Sequence, residues 1–290
     1  MEAATTGLSG VHEAARAMTP ADWHARLLAS AEAAAAGRPD PALPGFPPEE
    51  VQRAYNSGPA QQTMGKAFEL YARAMAACRD HGPAGAEGGA GGGRFLDFGA
   101  GWGRIWRYFL RDFAPERMAA FDVNPRLAPF WEASMLGARL DVAAPFEPLP
   151  YADASFDLVL ANSVFSHLSE RLNLHSAREI SRILRPGGLL VATTYGLPHL
   201  KRLRARIARG EAPHGRWRLR EGLTAEFDAA IARFADGGFA FVATDDTAPT
   251  DYENAAFGPA WLATAWGDRF ETVSFDPDVP AQPVFVCRAR

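Results

Sequence analysis

Three glycines spaced two apart, Gly99, Gly101 and Gly103, follow a short apolar run that holds an acid, Asp97 (RFLDFGAGWGR, residues 94–104). Glycine accepts positive φ and lets a ligand touch bare backbone, so a strand-to-helix turn built this way can cradle a small molecule. The dinucleotide fingerprint G-x-G-x-x-G has a different spacing and turns a helix N-terminus toward a pyrophosphate. Here the pattern is D-x-G-x-G-x-G. An acid two residues before the first glycine repels a pyrophosphate and attracts a cation. The ligand implied carries a positive centre or an ammonium group.

Two further stretches offer chemistry. RMAAFDV (residues 117–123) ends in a second acid, Asp122, and FDLVLANSVFSHL (residues 156–168) carries Asn162, Ser163 and His167. His167 is the candidate base; the alternative is a packed, hydrogen-bonded histidine opening the next helix. His199 and His214 read as surface residues. No carboxylate cluster lies near 156–168, so no metal is expected, and the only cysteines, Cys78 and Cys287, suggest neither a disulfide framework nor a thiolate site.

The elements that must hold these residues alternate. RFLDF, RMAAFDV, ARLDVA, FDLVLAN and LLVATTY read as strands. Helical patterns separate them: GRIWRYFLRDF, PRLAPFWEASML and SERLNLHSAREISRIL. Such alternation predicts an α/β fold, a Rossmann-like doubly wound and mostly parallel sheet. RFETVSF and QPVFVCRA, joined by DPDVPA, predict a closing antiparallel hairpin. Residues 1–81 read as a helical N-terminal cap. There Thr19 caps a helix, and Met64, Phe68, Tyr71, Met75 and Cys78 share one helical face. Residues 82–93 read as a glycine-rich flexible linker, leaving 94–290 as the main domain. Residues 197–257 interrupt the alternation. They read as an inserted lid with a basic helix, a second helix through Leu223, Phe227, Ile231 and Phe234, and a short strand, FAFVATD.

LDFGAGWGR resembles the first motif of class I S-adenosylmethionine-dependent methyltransferases. AFDVNP resembles their second motif, and LPYADASFDLVLANSVFSHL with ISRILRPGGLLVATT resembles later motifs of the small-molecule branch. The resemblance covers residues 94–195 and extends, more weakly, to bacterial methyltransferases of polysaccharide and natural-product pathways. It implies S-adenosylmethionine as cofactor. Asp97 would reach the methionine part, and Gly99, Ala100, Gly101 and Trp102 would line the cofactor. Asp122 would take the ribose hydroxyls, with Val123 and Asn124 beside the adenine. Asn162 and Ser163 would lie near the sulfonium. Many relatives hold the adenine amino group with an acid where this chain has Pro145. Backbone around Pro145 and Phe146 is the expected substitute, with Asp141 upstream and Glu147 downstream.

Composition bounds the rest. At 290 residues and 48% apolar the chain can bury a sizeable core. A net charge of −4 argues against nucleic acid as partner. No run reaches the length of a membrane helix, and the first residues lack a secretory pattern, so a cytoplasmic protein is expected. ANSVF after the fourth strand lacks the Asn-Pro-Pro-aromatic element of amide-methylating relatives, which favours an oxygen or carbon acceptor. The acceptor expected is a small molecule. The lid arginines Arg202, Arg206, Arg209, Arg216, Arg218 and Arg220 read either as a solvated face or as a binding face for an anionic acceptor. A nicotinamide-dependent oxidoreductase, a catalytically silent S-adenosylmethionine-binding module, nitrogen methylation and a macromolecular acceptor are the alternatives.

Overall fold

The computed structural model describes residues 7–56, 58–86, 88, 92–212, 219–243, 251–279 and 282–290. His214, Arg216 and Arg218 lie outside them. Helices α1 (Leu8–Arg16), α2 (Pro20–Ala35), α3 (Glu49–Asn56) and α4 (Ala60–His81) come first. Then follow β1 (Phe95–Phe98), α5 (Trp106–Phe109), β2 (Met118–Asp122), α6 (Ala128–Ser134), β3 (Asp141–Val142) and β4 (Phe156–Ala161). Next are α7 (Glu170–Ile183), β5 (Leu184–Thr193), α8 (Leu197–Ala208), α9 (Leu223–Ala235), β6 (Ala240–Val242), β7 (Asn254–Ala256), α10 (Pro259–Trp266), β8 (Phe270–Asp276) and β9 (Val284–Ala289).

A seven-stranded sheet runs in the order β3-β2-β1-β4-β5-β9-β8. β1 lies parallel to β2 and β4, and β2 to β3, whereas β9 is antiparallel to both β5 and β8. This is the expected Rossmann-like sheet with its closing hairpin. Every residue of β1 and β4 is buried, as strands covered on both faces must be. The chain leaves β1 toward β2 on one side, while β4 pairs on the other. Open α/β sheets bind ligands at such a reversal, beyond the carboxyl ends of the strands.

The chain forms two compact units, residues 1–160 and 161–290. The first takes in the N-terminal helices, which the sequence reading set apart as a cap on a linker. The physical reason lies in residues 104–112. The long helix expected there shrinks to the four residues of α5, and its neighbours bond to the N-terminal segment instead. Arg104 donates to the carbonyl of Thr63, Tyr108 to that of Met64, and Arg111 to that of Met18. In return Trp23 donates to the carbonyl of Tyr108 and His12 to that of Leu110. Rings of His24, Phe68, Tyr71, Tyr108, Phe109 and Phe95 continue the contact through to β1. In the glycine-rich stretch, Ala86 is fully buried, and a side chain at Gly88 would meet the carbonyl oxygen of Asp112 at 2.2 Å.

Arg107 makes the tightest of these links. It is fully buried, and its guanidinium donates to the carbonyls of Gly103 (3.0 Å), Pro44 (3.0 Å) and Gly45 (2.9 Å). It also lies over the rings of Phe46 at 4.3 Å and Trp102 at 5.1 Å. Carbonyl dipoles and ring faces thus stand in for a counter-carboxylate.

In the second unit, α8, α9, β6 and β7 enclose a small core of Leu200, Leu203, Ile207, Leu223, Phe227 and Val242. The expected insertion is therefore a packed substructure, and its strand has a partner, β7, that the sequence reading missed. Most of its described arginines are already matched by acids. Arg204 pairs with Asp228, Arg206 and Arg209 with Glu211, and Arg220 with Glu226. Among the described residues, no helix is long and apolar enough to cross a membrane.

Replacing Arg107 by Leu strands three carbonyls and two ring faces in the interior. Each lost hydrogen bond to a charged group is worth about 1.5–3 kcal/mol, so a loss of at least about 3 kcal/mol is expected. Thermal unfolding should show a Tm lowered by roughly 6–12 °C. An unchanged Tm would contradict this role.

Candidate active site

The glycine turn belongs to the first unit, and its three glycines serve three separate purposes. Gly99 has φ 81°, and the N–H groups of Gly99 and Ala100 both donate to the carbonyl of Phe121, at 2.8 and 2.9 Å. The turn is thereby fixed to β2. Gly101 has φ 55°; its N–H donates to Asp122 Oδ2 at 2.9 Å and its carbonyl accepts from Trp131 Nε1 at 2.8 Å. Among the described residues, a side chain there would meet the Tyr55 ring alone, at 3.6 Å, so the Cα is uncrowded. Gly103, at φ 78°, is needed for packing: a Cβ would stand 2.6 Å from Met135 Cε and 3.1 Å from the Trp131 ring.

Two acids flank the turn. Asp97 is 2% exposed, and its Oδ2 has no hydrogen-bond partner. Burial raises its pKa to about 7, the nearby charge of Asp122 adds to the rise, and Arg104 opposes it. Burial also raises the pKa of Asp122, against the backbone N–H groups of Asn124, Gly101 and Val123 that favour its charge. Asp122 Oδ1 accepts from Asn124 N at 2.9 Å. Both carboxylate oxygens are therefore fixed in direction, and each keeps a lone pair to offer.

Around the acids sit exposed apolar groups. Val123 (37%), Val142 (36%) and Phe146 (36%) are among the few large apolar side chains left open to solvent. Val142 pairs with Asp122 in the β2–β3 register. Pro145 is exposed, and Phe146 adopts φ 67° in the turn closed by Glu147, whose carboxylate accepts from Ala144 N. Asp141 is engaged by the Tyr151 hydroxyl at 2.9 Å. Trp102 departs from expectation. It is 1% exposed, packs on Phe46 and lies under Arg107, so its ring is core and only its backbone can serve a ligand. Sequence reasoning missed Tyr55, whose ring lies over Gly101 and whose hydroxyl accepts from Asn124 Nδ2.

The remaining candidates belong to the second unit. Ser163 has φ 58°, a strained conformation for a non-glycine residue. A closed ring of bonds holds it: Ser163 N donates to Thr193 Oγ1 (2.7 Å), Thr193 donates to Gln282 Oε1 (2.5 Å), and Gln282 Nε2 donates to Ser163 Oγ (2.8 Å). Asn162 is half-buried beside it in the chain.

His167 Nδ1 lies 3.1 Å from the carbonyl of Glu253, which can only accept. Nδ1 is thus a donor, and Nε2 faces two hydroxyls, Ser163 Oγ (3.3 Å) and Tyr195 OH (3.4 Å). The strap from 251 to 256 fixes this geometry by pairing with 166–169: Glu253 N donates to the carbonyl of His167, and Ala255 N to that of Ser166. Tyr195 was missed because its value depends on the end of β5 meeting a residue 28 positions earlier. Among the described residues, no group of three or more His, Cys, Asp or Glu is placed to hold a metal.

Comparison with known proteins follows the same lines. Residues 96–192 match a family described as "Methyltransferase domain". A malonyl-[acyl-carrier protein] O-methyltransferase of Methylococcus capsulatus is 35% identical over 113 residues, 38% of this chain and 40% of that protein. A sarcosine/dimethylglycine N-methyltransferase of Halorhodospira halochloris is 34% identical over 103 residues, 34% of this chain and 36% of that protein. The chain thus spans about two fifths of the length of these curated relatives. The crystal structure of the PH0226 protein of Pyrococcus horikoshii shares the fold. It covers 85% of this chain and all of its own, with a TM-score of 0.54 and 14% identity.

The buried, raised Asp97 makes stability depend on pH. Its folded pKa lies above the unfolded value, so the folded state holds the extra proton. The stabilisation is complete below about pH 4 and is lost as pH rises through about 7. Asp97→Asn removes the ionisation. The variant should unfold at higher temperature than the parent at pH 8, by up to the order of 4 kcal/mol in stability, and the gap should shrink as pH falls and close only near pH 4. A gap that is constant across this range would refute the assignment.

Proposed function

We propose that this chain, whose residues 96–192 are a class I methyltransferase domain, moves a methyl group from S-adenosylmethionine to an oxygen of a small-molecule acceptor. The observation that carries the cofactor is the orphaned, buried Oδ2 of Asp97 beside the uncrowded Cα of Gly101. That carboxyl loses its burial penalty only when a cation or a hydrogen-bond donor meets it. The residues present fit the cofactor in three ways. Asp97 suits the ammonium end. The two oriented oxygens of Asp122 suit a ribose diol. Val123, Val142 and Phe146 offer apolar contact for a purine without the usual acid at Pro145. A nicotinamide dinucleotide would set its pyrophosphate against Asp97, which disfavours the oxidoreductase reading.

The bound cofactor supplies an activated methyl group on a sulfonium. What remains for the protein is alignment, worth roughly 7–11 kcal/mol in favourable cases, and removal of the acceptor's proton. In the displacement an oxygen lone pair forms the new C–O bond as the C–S bond breaks. Sulfur keeps the bonding pair and loses its positive charge. His167 Nε2 takes the acceptor proton, and the Glu253 carbonyl, held against Nδ1–H, supports the imidazolium that forms. Acyl-carrier-bound malonate, the acceptor named for one relative, and nitrogen acceptors, named for another, are the competing substrates.

Calorimetry with S-adenosylmethionine and S-adenosylhomocysteine tests the reading first. Binding of both is expected, and Asp122→Ala should weaken it about 10- to 150-fold. Failure of folded protein to bind either compound would end the proposal. His167→Ala should lower kcat about 10²- to 10⁴-fold on a hydroxyl acceptor while leaving S-adenosylhomocysteine affinity unchanged. Full activity would make His167 a packing residue.

A further inference from the structure

Among the described arginines of α8, Arg202 is held by a histidine rather than by a carboxylate. Arg204, Arg206, Arg209 and Arg220 each meet a carboxylate, whereas Arg202, exposed on the first turns of α8, donates to His199 Nδ1 at 3.0 Å. An imidazole nitrogen that accepts from a guanidinium is unprotonated, so His199 is neutral. Its pKa is pushed down to about 4, first by burial and then by the charge of Arg202. The positive charge of Arg202 is therefore held in place without being cancelled.

The hold extends to the candidate base. The His199 ring stacks flat on Tyr195, with centroids 3.5 Å apart and planes 6° apart. Tyr195 in turn meets His167, ring edge to face and hydroxyl to Nε2. The amino end of α8 adds to the positive field, since no side chain caps it. Arg202, His199, Tyr195 and His167 are thus linked in one chain of hydrogen bonds and ring contacts.

We propose that Arg202, fixed by the His199–Tyr195 stack, is the specificity-determining residue that binds a carboxylate of the methyl acceptor. This deepens the proposed function and rests on it. A planar guanidinium with one nitrogen spent on His199 keeps a face free for a carboxylate. Arginines already paired with acids have no such capacity. The acceptor class is then a small carboxylic acid, free or held at its other end as a thioester. An uncharged sugar or phenol would leave the cation unused.

The test uses the full chain loaded with S-adenosylhomocysteine, with malonate, malonyl-N-acetylcysteamine and malonamide as probes in calorimetry. Both carboxylated probes should bind at least tenfold tighter than malonamide. Tighter binding of the thioester identifies a carrier-held acceptor, and tighter binding of malonate a free acid. Arg202→Gln should abolish the preference over malonamide while S-adenosylhomocysteine affinity stays constant. Arg204→Gln, which removes the same charge from the same helix, should leave it intact. If malonate and its thioester bind no better than malonamide, or if Arg202→Gln and Arg204→Gln behave alike, the proposal is overturned. Absence of S-adenosylhomocysteine binding would instead defeat the cofactor reading, so the two failures are distinct.

Discussion

A guanidinium buried without a counter-carboxylate is the constraint on which the first unit depends. Arg107 has zero exposure and satisfies itself on three backbone carbonyls and two aromatic faces. Those carbonyls belong to Gly103, at the end of the glycine turn, and to Pro44 and Gly45, just before α3. A charge this costly to desolvate tolerates little movement of its partners. The N-terminal segment is therefore tied to the turn, and α3 brings Tyr55 over Gly101 as a consequence. Trp102 is consumed as one wall of the Arg107 cage, and that is why it faces the interior.

The turn itself stores an electrostatic debt. Asp97 and Asp122 lie close enough for each charge to disfavour the other, in surroundings that disfavour both. Backbone N–H groups settle most of it for Asp122. Asp97 keeps an unmet oxygen, and a cationic ligand would lower its pKa again and release a proton on binding near neutral pH. In the second unit the logic is reversed. Neutral His199 preserves the charge of Arg202, and the Glu253 carbonyl holds Nδ1 of His167 so that Nε2 faces Ser163 and Tyr195.

The candidate residues of the glycine turn are legible in the sequence because their signal is local. Asp97 lies in β1, Gly99 and Gly101 follow its end, Asp122 closes β2, and β2 begins and ends close to where alternation places it. Thr19 caps α2 as its type and position predict. What escaped the sequence depends on distant pairing. The helix after the turn is short because Arg104 and Tyr108 turn their polar groups to α4 and Arg111 to Met18 ahead of α2, which no periodicity reveals. The two readings of the arginine run at 202–220 stay open in the sequence for a related reason. A run of arginines looks uniform until Asp228, Glu211 and Glu226 are set against Arg204, Arg209 and Arg220, and His199 against Arg202. The tautomer of His167 rests on a carbonyl 86 residues away.

The central claim is that the first unit binds S-adenosylmethionine through Asp97, the glycine turn and Asp122. The most direct measurement is a crystal structure of the protein with S-adenosylhomocysteine. The account predicts the amino group of the homocysteine on the Asp97 side of the turn, the ribose hydroxyls on Asp122, and the adenine against Val123, Val142 and Phe146. Density for the ligand away from Asp97 and Asp122, with both acids as they stand in the free protein, would contradict it.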